Sequence, residues 1–262
     1  EDAPLVDLMW TLKHFAPRMY AVDQQLQAVT DVLGAQLWVV LNTSVRSIEE
    51  DGQGVHIEVE HEGAVSTQRY AQAVIALPPT QFANLLQPRP QVLMNALQRL
   101  PYGCSVSVHL AVKQALGDDL QMLLPPRSLA PDLTTVVFEH NKAPGRAPQG
   151  MSAITLLFRD SWSRPRLETP DADVVCDALA QLKLVLPELD ASKIQAQHVQ
   201  RWPIACLSKD VGACAAIQQV HDETERYQRV AFAGDYWALS GVNTAVVSAQ
   251  RAARKIIARR SV

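Results

Sequence analysis

The chain has little of what usually announces a function. Its four cysteines, Cys104, Cys176, Cys206 and Cys214, form no C-x-x-C pair. That removes the spacing of a zinc or dithiol site and leaves reduced core thiols of a cytoplasmic protein as the reading. No apolar run approaches the roughly 20 residues a membrane helix needs. Glu1, Asp2 and Asp7 stand where a secretory leader would be basic. The net charge of −3 is too small and too scattered to suggest nucleic acid or an acidic partner. No Ser-His-Asp set or metal cluster can be assembled from the spacing, so no metal site is expected. The 11 glycines contain no Gly-x-Gly-x-x-Gly.

What is present is core: 48% of the residues are hydrophobic and 19% charged, enough for one large domain or two small ones. Residues 21–34 have the period of a short amphipathic helix, with Leu26, Val29, Val32 and Leu33 on one face and Gly34 as its stop. After the turn signal Glu50-Asp51-Gly52, the alternation of Val55, Ile57 and Val59 predicts a half-buried strand. Residues 73–77, AVIAL, form a continuous apolar run. They predict a strand covered on both faces and ended by Pro78-Pro79. Residues 91–99 read as helix. Residues 104–112 alternate as a strand with Val106, Val108 and Leu110 on one face, and TTVVFEH and residues 151–158 follow as further strands. Thr169 and Pro170 open a helix as N-cap and first residue, and Pro187 stops it. IQAQHVQRW is another strand. Without strict βαβ alternation, this order predicts an α/β fold with α+β character, in which a mixed sheet is inserted into a nucleotide-binding half.

The stretch RVAFAGDYWALSGVNTAVVSAQRAARKI, residues 229–256, is the most informative. A short apolar strand ends in Gly234 and Asp235, where ligands sit in open α/β sheets. Gly234 permits close backbone approach, and an ionised Asp235 accepts hydrogen bonds from sugar or ribityl hydroxyls. Gly241, Val242 and Asn243 then open a helix whose first N–H groups are orphan donors at the positive end of the macrodipole. Arg251, Arg254, Lys255, Arg259 and Arg260 complement its other end. The chemistry that fits is the negative charge that builds on the N1–C2=O edge of a reduced flavin. An ordinary strand-loop-helix with Asp235 as a cap is the alternative.

This stretch resembles the C-terminal flavin-binding segment of the flavin-containing amine oxidase superfamily, which includes protoporphyrinogen oxidase and phytoene desaturase-like enzymes. Gly234-Asp235, Gly241-Val242, Ala245, Ser248 and Ala252-Ala253 match, whereas Thr244 and Ala249 replace preferred glycines. Three further stretches resemble the family in the same order. The first, LQAVTDVLGAQLWVVLNTSVRSIEEDGQGVHIEVE, implies a backbone contact from Val45 to the adenine end of FAD. The second, AQAVIALPPTQFANLL, implies that Pro78 lies beside the flavin. The third, VQRWPIACL, implies that Trp202 is near the cofactor pocket.

The resemblance implies an FAD-dependent oxidoreductase. Residues 21–85 and 195–262 would belong to an FAD-binding domain and residues 86–194 to a substrate domain with a mixed sheet. The family's Gly-rich pyrophosphate loop would lie upstream. The sequence starts at Glu1 without an initiator Met, so it is expected to be the C-terminal portion of a longer enzyme, binding FAD poorly alone. A cofactor-free binding or scaffolding module that keeps the fold is the rival.

Two departures point away from simple amines. The family's strand lysine falls at or near Ser107, and the turn before the last helix, Ser240-Gly241-Val242, lacks an aromatic cage residue. An apolar small molecule, porphyrinogen- or polyene-like, is the implied substrate, with peripheral membrane contact left open. Catalytic side chains stay unassigned. His109 reads either as substrate-facing or as a satisfied histidine on a sheet face. Trp162, Trp202 and Trp237 read as core. Among the aromatics, Tyr236 and Trp237 are placed nearest the flavin, and FEHNKAPGRAP reads as a solvated turn.

Overall fold

The computed structural model describes residues 27–238 and 240–259. Leu26 and the start of the helix expected over residues 21–34 therefore lie outside the described residues, as does Arg260. The described part, α1 (Gln27–Gly34), buries none of its residues, so the apolar stripe of Val29, Val32 and Leu33 is exposed.

An antiparallel meander follows, made of β1 (Thr43–Glu50), β2 (Val55–His61) and β3 (Ala64–Tyr70), with Ile48 opposite Ile57 and Val55 opposite Tyr70. Its first turn is built by Asp51, whose Oδ1 accepts the Gln53 and Gly54 N–H groups at 2.7 Å while Oδ2 meets His56 Nε2 at 2.9 Å. The Gln53 amide, the His56 side chain and the Gly54 amide lower this carboxyl from its ordinary 3.8 to about 2. The folded value lies below the unfolded one, so the turn's contribution is complete above the ordinary value and fades as pH falls from 3.8 towards about 2. Amide exchange at Gln53 and Gly54 is expected to accelerate in that window. Asp51→Ala should exchange fast throughout and lose the pH step, and a step that survives in the variant would assign it to another group.

Next come β4 (Ala73–Ile75), α2 (Pro79–Leu85), β5 (Leu86–Gln87) and α3 (Gln91–Leu97). The apolar run over residues 73–77 is thus a shorter strand than its composition predicts, and Val74 is half-exposed. Pro78 and Pro79 turn the chain into α2, with proline in its first turn, before the strand can lengthen.

The chain continues through β6 (Tyr102–Val112), β7 (Met122–Leu123), β8 (Leu133–Phe138), β9 (Ser152–Phe158), α4 (Asp160–Ser163), α5 (Asp171–Val185) and β10 (Ile194–Leu207). It ends with α6 (Ala213–Glu225), β11 (Val230–Phe232) and α7 (Val242–Ala258). The N-cap of α5 is Pro170 rather than Thr169. The Thr169 hydroxyl donates instead to the Pro165 carbonyl, and the Arg201 guanidinium holds the Thr169 carbonyl.

Among the described residues three sheets result, ordered β3-β2-β1-β5, β10-β6-β9-β8-β7 and β11-β4. The described residues divide into two compact units at 30/31, 101/102 and 205/206, with residues 27–30 in the second unit, where the sequence reading placed them in the first and put the divisions at 85/86 and 194/195. Residues 31–101 and 206–259 make the first unit, which is α/β. Residues 102–205 hold the five-stranded sheet of the second. Val106, Val108 and Leu110 of β6 pack with Leu156 of β9, Val136 of β8 and Leu182 of α5, as the alternation predicts. Trp162 stacks on Phe158 at 3.8 Å and carries the Arg166 guanidinium over its ring. No helix among the described residues is long and apolar enough to cross a membrane.

Candidate flavin site

In the first unit β11 and β4 run parallel, with Phe232 opposite Ile75, and the Ala233 N–H donates to the Ile75 carbonyl at 2.8 Å. Both strands therefore deliver their successors to the same edge, Gly234-Asp235 from one and Pro78 from the other. Phe82 of α2 sits beneath that edge, its ring 4.9 Å from Phe232 and 6.1 Å from Tyr236. Pro78 caps α2 without a side-chain bond.

Gly234 is extended, and a Cβ there would overlap the Tyr236 ring. The sequence reading assigned this glycine to close approach of a ligand. The structure assigns it to its own neighbour, the buried Tyr236, which folds back under the strand end. Tyr236 is thereby part of the support, while Trp237 lines a cleft with its ring edge-on to His221 at 5.7 Å. Asp235 opens a short 3-10 turn, and among the described residues no side-chain hydrogen bond or ion pair engages its half-buried carboxylate.

Gly241 is the N-cap of α7, and its φ of 160° and ψ of 167° are extended rather than left-handed. Its backbone therefore does not require glycine, and nothing lies within 4 Å of where its Cβ would be. The Ala245 N–H donates to the Gly241 carbonyl at 3.1 Å. Those of Val242 and Asn243, one turn earlier, find none among the described residues. Ser248, whose role spacing did not reveal, ties strand to helix. Its buried hydroxyl accepts the Gly234 N–H at 3.0 Å and donates to the Ala245 carbonyl at 2.8 Å.

Between α6 and α7, over Ala231 and Phe232, lies a cleft of about 710 Å³ reached by Asn243, Trp237 and Arg251. Lys255 on its wall pairs with Glu225 at 3.1 Å. Gly234, Asp235, Gly241, Val242 and Asn243 thus gather at one strand end with Pro78 on the neighbouring strand. Val45 does not join them. It lies on the separate four-stranded sheet, opposite Val59 beside a bulge, and is half-exposed. Trp202, expected near the cofactor pocket by the resemblance and as core by its type, is 52% exposed and belongs to β10 in the second unit.

This donor set fits the ring end of a flavin: two helix-start N–H groups unengaged among the described residues, a glycine with open space at its Cβ, and a carboxylate that no described side chain engages. Nothing in the sequence supplies the Gly-rich cradle for a pyrophosphate. Among the described residues no group of three or more His, Cys, Asp or Glu is arranged to hold a metal.

Solved structures share this fold. A protein from Exiguobacterium sp. 255-15 assigned as a protoporphyrinogen oxidase superposes with a TM-score of 0.74 at 15% identity, over 92% of this chain and 52% of its own. Putrescine oxidase with putrescine bound gives 0.68 at 19%, over 90% and 53%, and reduced UDP-galactopyranose mutase 0.63 at 11%, over 80% and 45%. The chain thus spans about half the length of these structures. No curated protein matches it in sequence. The sequence profile of the flavin-containing amine oxidoreductases matches residues 4–257, nearly the whole chain, and the chain belongs to that family.

Proposed function

We propose that the chain forms part of an FAD-dependent oxidoreductase that removes hydride from the carbon skeleton or C–N bond of an apolar, porphyrinogen- or polyene-like small molecule. The observation that carries this reading is the strand end itself, where among the described residues the Val242 and Asn243 N–H groups and the Asp235 carboxylate are unengaged. A bound flavin supplies a two-electron acceptor for a hydride. The chain's own groups supply its setting. Backbone dipoles at the start of α7 favour charge on the flavin ring without any side-chain ionisation, and Asp235 accepts from a hydroxyl-bearing chain. The first unit is the cofactor side in this reading and the second the substrate side.

Family membership supports flavin chemistry in general. Two departures from the family pattern support the substrate class. Ser107 stands where the resemblance expects a lysine, and Ser240-Gly241-Val242 offers no aromatic wall for a cationic amine. The test uses the full-length protein supplied with FAD and desalted. A flavin absorption band is expected, bleached anaerobically by protoporphyrinogen or a polyene and little affected by putrescine or other simple amines. A protein that never retains flavin would reject the reading, and fast bleaching by amines would move it to the amine-oxidising branch.

A further inference from the structure

The cleft between α6 and α7 lies wholly within the first unit. Small side chains leave it open. The buried residues of α7 are Ser248 and Ala252, and α6 buries Ala213, Ala216 and Val220. Between the helices the floor is Ala231 and Phe232 of β11. Residues of this size do not fill the gap, and about 710 Å³ stays empty. That falls within the range of about 300–1,000 Å³ for small-molecule sites.

On α7 the cleft is lined by Thr244, Val247, Ser248, Arg251 and Lys255, a three- and four-residue spacing that marks one helix face. The face runs about 16 Å from Thr244 to Lys255. Ile217 and His221 line it from α6, and the partly exposed Trp237 ring adds an aromatic surface beside His221.

Charge separates this cleft from a plain apolar gap. Lys209, Arg251 and Lys255 reach into it, and Glu225 is the one carboxylate residue among its described lining. Glu225 is already paired with Lys255 at 3.1 Å, and Lys255 Nζ also donates to the Thr224 carbonyl at 3.5 Å. The lining therefore carries a net positive charge, in a chain whose net charge is −3. Among the described residues no hydrogen bond or ion pair engages the exposed Arg251 guanidinium. Its planar fork of donors matches a carboxylate.

We propose that this cleft binds a small amphipathic carboxylate, with the apolar body along Phe232, Ile217 and Val247 and the head group on Arg251. The site is distinct from the candidate flavin groups. Those are the Asp235 carboxylate and the N–H groups at the start of α7, whereas Arg251 stands about 12 Å further along the helix than Asn243. The inference uses neither the flavin nor the second unit, so it goes beyond the proposed function and does not rest on it.

Full-length protein, flavin-free and flavin-loaded, is titrated calorimetrically with decanoate and with decanol, which has the same chain without the charge. Decanoate is expected to bind saturably to one site in both forms, about tenfold more tightly than decanol. Arg251→Gln should weaken decanoate about tenfold and leave decanol binding and flavin retention unchanged. Arg254→Gln, on the same helix but outside the cleft lining, should change none of these. Val247→Trp should fill the cleft and abolish binding of both probes, and if it fails to fold the Arg251→Gln result decides. Decanoate that binds no better than decanol, or that Arg254→Gln weakens as much as Arg251→Gln does, overturns the inference. So does the absence of saturable binding to either form, which would show that the full-length chain fills the cleft itself. Binding to the flavin-free form alone would assign the cleft to the flavin and overturn a separate site. A protein that retains no flavin counts against the proposed function, and the flavin-free titration then decides here.

Discussion

Glu50→Ala is expected to destabilise the first unit by about 3 kcal/mol, although Glu50 touches no ligand group. Its Oε1 accepts the Gln228 N–H at 2.7 Å, and its Oε2 accepts those of Arg229 at 3.0 Å and Val230 at 3.1 Å. A carboxylate at the end of β1 thereby gathers three successive backbone donors at the start of β11. Two arginines tighten the same junction. Arg229 donates to the Gly52 carbonyl at 3.1 Å, and Arg259 to the Tyr227 and Gln228 carbonyls at 2.9 and 2.8 Å. Alanine leaves three N–H groups without an acceptor, each worth about 1–3 kcal/mol if fully buried. Water at this partly open site recovers part of that. Glu50→Gln, which keeps one accepting oxygen, should cost less than alanine. Native-state hydrogen exchange at Ala231 and Phe232 reads the loss directly. A change below about 1 kcal/mol would mean that water replaces the carboxylate and that the junction is not what fixes the strand. Functionally, β11 ends in Gly234 and Asp235, so whatever fixes its start also fixes where the candidate flavin groups stand.

Glu50 also shows where the sequence stops being legible. As part of Glu50-Asp51-Gly52 it reads as a turn, and its neighbour Asp51 does build that turn through amides two and three residues away. Glu50's own partners lie 178 to 180 residues along the chain, and no local pattern encodes them. The alternation of β6 was legible because a strand with one buried face repeats every two residues. The helix over residues 27–34 was legible in period but not in burial, since periodicity says which residues share a face and not whether anything covers it. Gly234 was legible as a position that must be small. The reason, an aromatic ring two residues on, needs coordinates. Ser107 shares its strand face with His109 and meets one ring nitrogen, and only the pairing of β6 with β9 brings Thr155 to the other.

Gly241→Val should separate folding from cofactor binding. Valine tolerates the extended φ of 160° and ψ of 167° found at this position, and its Cβ would meet no protein atom within 4 Å. Gly241 makes no side-chain cap, so the helix start loses little, and stability should change by less than about 1 kcal/mol. A ligand using the Val242 and Asn243 N–H groups must approach through the space that the new side chain fills. Losing one well-placed donor to a charged acceptor costs roughly 1.5–3 kcal/mol, or about ten- to a hundredfold in FAD retention. In the proposed function those donors meet charge that develops on reduction, so whatever flavin remains bound should also show a lower midpoint potential. About 30 mV corresponds to about 1.4 kcal/mol for a two-electron couple, which makes the expected shift some tens of millivolts. Thermal unfolding, absorbance after desalting and a redox titration on the full-length protein give the three readings. An unfolded variant would show that the open space at Gly241 is filled by the protein itself. A folded variant with wild-type retention and potential would show that the start of α7 is an ordinary helix cap and that the flavin, if bound, takes its electrostatic support elsewhere.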